Sequence, residues 1–228
     1  MTIDTDKALL ELEILRGFID FVNNQVGVYM DCLSGFEGNR VRIHRQVARV
    51  QRPTGRRTEN GQPVMVYASV EDPSLPDVIH HRIIRAEDFI ATNAQASFNE
   101  QQVCCSIIVF LFAYWDEEIR PQIADVRRVE ASEIKVDAMG DLRIVRNSII
   151  HNKGIITDTD HTKLRKMTEL FKPGQKIALS HDEMHKLFVL VKQAIAEIIM
   201  VYVGHLPGAP DPSDIVSIAI QRGGRPSK

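Results

Sequence analysis

Arg146, Asn147 and His151 sit inside Asp141–Ile155 (DLRIVRNSIIHNKGI), a stretch otherwise rich in Ile, Val and Leu. A guanidinium grips a phosphate through two parallel N–H donors and stabilises negative charge that grows in a transition state. An imidazole takes up and releases a proton near neutral pH. A neighbouring carboxamide orients either group. The three residue types together point to acid–base chemistry on a phosphate ester.

A helix over 137–153 places Ala138, Leu142, Val145 and Ile149 on one arc at about 100° per residue, with Met139 and Ile150 beside it. Arg146 projects between Leu142 and Ile150, within that arc. Asn147 and His151, four residues apart, stack on a face rotated from the arginine by roughly 100–140°. An unpaired buried guanidinium is costly, so Arg146 requires a carboxylate, a phosphate or an open groove. Two readings stand. In one, Asp116, Glu117 or Glu118 supplies a structural ion pair and His151 favourably ends the helix. In the other, the polar cluster faces a ligand, with Asp116 and Glu117 as supporting acids.

The elements that must position this helix are themselves mostly helical. Residues 5–30 carry Leu9, Leu12, Ile19 and Val22 at helical spacing, Ser34, Gly35 and Gly38 mark a turn, and 40–52 reads as a second helix. Prolines and glycines from Pro53 to Pro76 argue against helix there, and VMVYASV (Val64–Val70) is β-prone. Residues 86–119 read as one long helix stopped by Pro121. A short helix is expected at 126–135, and one or two turns at 163–171. Gly154 is suited to end the 137–153 helix in a left-handed cap. Ser180 and Glu183 have the spacing of a capping box and start a last helix that runs to Val203. The fold class is all-α: one helical domain over 1–206 with an irregular, β-prone insertion near 53–80, then a loosely ordered tail over 207–228 rich in Pro and Gly.

With 228 residues, 44% of them hydrophobic and 25% charged, the chain has the composition of a soluble globular protein. A net charge of −2 gives no global sign of a polyanionic partner, so local charge must carry that argument. Cys32, Cys104 and Cys105 are an odd set without ligand spacing and read as buried free thiols in a reducing compartment, the cytoplasm. No signal peptide is evident at the N-terminus, and the longest apolar run, Val103–Trp115, is too short to span a bilayer. No membrane partner is expected.

Arg40, Arg42, Arg45, Arg49, Arg52, Arg56 and Arg57 follow one another without an intervening acid. Arg42, Arg45, Arg49, Arg52 and Arg56 repeat at three- and four-residue steps, the spacing of one helix face, which Pro53 is expected to bend. Such a face suits a phosphate backbone; a solvated helix surface is the equal alternative. No aromatic residue interleaves for base stacking. His181 and His185 are spaced i, i+4, but Asp182 stands where a zinc protease needs glutamate, and the capping box already accounts for Glu183. Neither a metal nor a cofactor is expected.

The sequence Arg146-Asn147, then His151, on a helix of an all-helical chain resembles the motif of the HEPN superfamily: an arginine, four to six residues, then a histidine, often with a polar residue directly after the arginine. GDLRIVRNSIIHNKG is similar to that family's motif helix and its exit, and YWDEE (Tyr114–Glu118) resembles what some members carry on the preceding long helix. The resemblance extends over about residues 100–200. It implies a HEPN-like helical bundle, a metal-independent endoribonuclease acting on RNA as a homodimer, and Arg146, Asn147 and His151 as a composite catalytic set. Lys153, Arg42, Arg45 and Arg49 are the candidates for substrate binding. An antitoxin or defence partner protein is implied by the family's toxin–antitoxin and anti-phage settings. Some members place a tyrosine two residues after the histidine as a modification site; here that residue is Lys153, so such control is not expected.

Overall fold

The structure is a computed structural model that describes residues 5–50, 64–70 and 78–203. It is mostly helical, as expected. The elements run α1 (Thr5–Val50), β1 (Val64–Val70), β2 (Val78–Arg85), α2 (Ala86–Thr92), α3 (Phe98–Tyr114), a π-helical turn (Trp115–Ile119), α4 (Arg120–Arg127), a 3-10 turn (Ala131–Glu133), α5 (Asp137–His151), α6 (Asp158–His161), a second 3-10 turn (Thr168–Leu170) and α7 (His181–Val203). Of the insertion expected to be irregular near 53–80, residues 53–63 and 71–77 lie outside the described residues, as do Arg52 and the expected tail over 207–228. No helix among the described residues is long and apolar enough to cross a membrane.

The chain groups into two compact units. The first combines residues up to Val26 with those from Cys105 onward, and the second is Gly27–Cys104. α1 and α3 contribute residues to both.

In the first unit, Leu15, Phe18 and Val22 of α1, Ile108 and Leu111 of α3, Leu142 and Val145 of α5, and Leu187, Val191 and Ile195 of α7 are all buried. α5 packs on α7. Phe18 lies 5.5 Å from Trp115, centroid to centroid, and Phe21 stacks on Tyr114 at 4.0 Å. Burial of such rings supplies a large share of a small core's stability. Glu11, buried on α1, accepts from Arg127 Nε at 2.9 Å and from its Nη2, which ties α1 to α4.

The 86–119 stretch is not one helix. α2 ends at Thr92, and the chain turns through Asn93–Ser97, where Ala96 takes a left-handed φ of 56°. The buried carboxylate of Glu100 accepts the Ala96 N–H at 2.6 Å and so holds the turn. Pro121 does not stop the helical path either. The π-helical turn widens the coil just ahead of it, and Pro121 falls in the first turn of α4, where its missing N–H costs nothing. The helix expected over 126–135 is replaced by the end of α4, a left-handed Arg128 (φ 58°) and the 3-10 turn. Over 163–171 only the 3-10 turn forms, preceded by the short α6.

In the second unit, β1 and β2 pair antiparallel, Val64 opposite Arg85 and Val70 opposite Val78, with a bulge between Tyr67 and Ala68. β1 is the stretch recognised as β-prone. Ile43 of α1 is buried with Ala86 and Phe89. The turn expected at Ser34–Gly38 is helical. Glycine lowers helix propensity by about 1 kcal/mol without forbidding the conformation. Anchors on both sides outweigh that: Ile43 below, and above it Tyr29, buried and donating to Glu100 at 2.9 Å. Burial and that hydrogen bond push the Tyr29 phenol far above its ordinary range.

Candidate functional site

α5 presents three kinds of side chain around its circumference. Ala138, Met139, Leu142 and Val145 are buried, as the periodicity predicts, but Ile149 is half-buried and Ile150 is exposed, so Arg146 stands at the edge of the apolar arc and not within it. Asp141 is also buried, and its two oxygens accept the backbone N–H groups of Arg165, Lys166 and Met167 at 2.7–3.1 Å. That carboxylate pins the 164–168 loop to the helix. Arg143, Asn147 and His151 are exposed. Spaced i, i+4, i+8, they fall within about 80° of arc on one face.

Arg146 is half-buried. Its Nη1 donates to Asn147 Oδ1 at 3.0 Å, so the guanidinium reaches round the helix to the neighbouring face. Its Nε is buried and meets no partner among the described residues. The expected acids are placed otherwise: Asp116 pairs with Arg120 at 2.7 Å, and Glu117 is exposed. No carboxylate pairs with Arg146 among the described residues.

His151 is the last residue of α5. The helix then unwinds through two left-handed residues, Lys153 (φ 54°) and Gly154 (φ 78°), rather than through Gly154 alone. Gly154 N–H donates back to Ser148 O at 2.8 Å, and the Gly154 carbonyl accepts from Ile177 N–H at 2.7 Å. The buried Gly154 therefore fastens the exit of α5 to the chain entering α7, and His151 stays exposed at its rim. The structure thus joins Arg146 to Asn147 and leaves His151 one turn further on, bonded to neither.

Beside Asn147 lies a cavity of about 580 Å³, whose wall includes the π-helical turn and α5. Phe112, Trp115 and Met139 are buried lining residues and form its floor, while Arg143 and Lys135 are exposed at its rim. Sequence reasoning missed Arg143 and Asp141. The i, i+4, i+8 spacing with Asn147 and His151 would have found the first. Nothing local marks the second, because its donors lie 24 to 26 residues away.

Arg42, Arg45 and Arg49 are exposed on the part of α1 that belongs to the second unit. Arg42 donates to Asn39 Oδ1 at 3.1 Å, and Arg40 pairs with Glu37 at 2.8 Å. Among the described residues, no group of three or more His, Cys, Asp or Glu side chains is arranged to hold a metal ion. No protein-family model, no curated protein and no solved structure matches this chain.

Proposed function

We propose that the protein is a metal-independent endoribonuclease of HEPN type, working as a homodimer in which Arg146, Asn147 and His151 of two copies form one cleft. The observation that carries this reading is the state of Arg146: a half-buried guanidinium that meets no carboxylate and no Nε acceptor among the described residues, its Nη1 set on Asn147, one turn from an exposed imidazole. A cation left in that condition suits an incoming phosphate.

In the proposed reaction the RNA 2′-hydroxyl attacks the adjacent phosphorus. His151 of one copy takes the hydroxyl proton. The P–O5′ bond breaks, and His151 of the other copy protonates the departing oxygen. Arg146 holds the phosphate and offsets its growing charge, and Asn147 fixes the guanidinium. The products are a 2′,3′-cyclic phosphate and a 5′-hydroxyl. Lys153 and the Arg42, Arg45 and Arg49 face would hold flanking phosphates. A toxin–antitoxin or anti-phage setting, with an antitoxin or defence partner, belongs to the same proposal.

RNA cleavage in EDTA tests it. His151→Ala and Arg146→Ala should each lower kcat by about 10²–10⁴-fold, the usual worth of an acid–base or charge-stabilising group, with unchanged circular dichroism. Cleavage that requires a divalent cation, or that survives both substitutions, rejects it. His151 bonds to neither Arg146 nor Asn147, which favours a second reading: a module that binds RNA without cutting it.

A further inference from the structure

The cavity beside Asn147 has a charge pattern that the cleavage chemistry does not use. Five cationic and four acidic side chains line it. Three of the acids are already engaged, Asp116 with Arg120, Asp137 with Arg165 and Asp160 with Lys163, each at 2.7 Å. The fourth, Asp141, is filled by backbone amides. Arg143 and Lys135 remain without a carboxylate among the described residues. Arg120 keeps a buried Nε that meets no acceptor there. The rim is therefore set for an anion, and the buried side chains of Phe112, Trp115 and Met139 back the space behind it.

α5 keeps the space open. Gly140 lies on the cavity wall, and a Cβ at that position would meet no heavy atom within 4 Å. Gly140 shares the face of Arg143, Asn147 and His151 at helical spacing, so the cavity opens along the stripe that leads to the proposed scissile phosphate. Its volume falls in the range of small-molecule sites, about 300–1,000 Å³.

We infer that this cavity receives one nucleotide of the RNA strand, next to the one that is cut. Arg143 and Lys135 hold its phosphate, and the base enters toward Phe112, Trp115 and Met139. The inference rests on the ribonuclease reading only for what is bound, RNA, and not for the cleavage step. It makes the cavity a determinant of which sequence is cut, because an enclosed base is read through its edge.

Two variants and two readouts test it. Gly140→Leu grows a side chain into open space and should preserve the fold, since it replaces a poor helix former by a good one. Arg143→Gln with Lys135→Gln removes the rim charge. With a cleavable RNA, each should raise KM by about tenfold, the worth of one charge-assisted contact, with a much smaller change in kcat. With an oligonucleotide 2′-O-methylated throughout, which lacks the nucleophile, each should weaken binding to the same extent. An abasic position next to the cut should weaken the wild type and add nothing in Gly140→Leu. Cleavage with KM and binding unchanged in both variants overturns the cavity assignment and leaves the nuclease standing. Binding that weakens in the variants while the wild type cuts nothing supports the cavity and removes the nuclease. A wild type that neither cuts nor binds overturns both.

Discussion

Arg146 holds its charge on α5 without a carboxylate among the described residues, and this separates a structural from a functional role at the level of one side chain. Breaking a buried ion pair costs about 3–5 kcal/mol, whereas removing a guanidinium that has no such partner costs little. Arg146→Met should therefore stay within about 1 kcal/mol of the wild type in urea denaturation. A loss of several kcal/mol would mean that a partner carboxylate exists. Asp141 is the opposite case. Its carboxylate serves three backbone amides inside the unit, and an asparagine there turns an NH2 group against those donors. Asp141→Asn should lower stability by about 2–3 kcal/mol in the same measurement, the cost of unsatisfied buried groups. An unchanged midpoint would show that the 164–168 loop holds without it.

At the scale of elements, the exit of α5 makes a further prediction. Lys153 adopts a left-handed φ that costs an ordinary side chain about 1–2 kcal/mol, partly offset by the extra chain entropy of glycine. Lys153→Gly should raise stability by about 0.5–1 kcal/mol, read as an upward shift of the denaturation midpoint. If Lys153 also binds phosphate, KM for RNA rises in the same variant. Elements whose signals are local were legible in the sequence. The Ser180–Glu183 capping box forms as its spacing indicates, Ser180 N–H donating to Glu183 Oε2 at 2.8 Å. α5 starts at Asp137 and β1 covers Val64–Val70. What the sequence did not disclose depends on distant partners. Glu100, which accepts the Ala96 N–H at the Asn93–Ser97 turn, also accepts from Tyr29, 71 residues away. The Arg146–Asn147 contact was hidden for another reason: helical projection places Cβ atoms, and a long guanidinium reaches past its own face.

Over the whole molecule, each compact unit carries titrating groups displaced from their ordinary range, Glu183 among them in one and Tyr29 in the other. The Glu183 carboxyl, at the start of α7, is held below its ordinary range by the Ser180 N–H and then by the Ser180 hydroxyl. A carboxylate depressed in the folded state contributes stability above its ordinary value, and that contribution is lost as pH falls through the folded value. The Tyr29 phenol, in the other unit, is raised by burial and by Glu100. Its contribution is intact below the ordinary phenol value of 10.0 and is lost as pH climbs beyond it. Tm measured from about pH 3 to about pH 11 should therefore decline at both ends. Glu183→Gln should flatten the acid limb and Tyr29→Phe the alkaline limb. Limbs unaltered by these substitutions would assign the pH dependence to other groups.

The π-helical turn at Trp115–Ile119 has a consequence for insertions and deletions. Such a turn carries about one residue more than an α-helical turn of the same rise. Losing any single residue from WDEEI would let the coil close into regular α-helix over the same turn and rise, so everything beyond it would keep the face it now presents. Asp116 and Arg120, now four apart, would stand three apart if the lost residue lay between them. Pro121 would meet a narrower coil. A one-residue deletion that would rotate the far end of a regular helix by about 100° is absorbed at this turn.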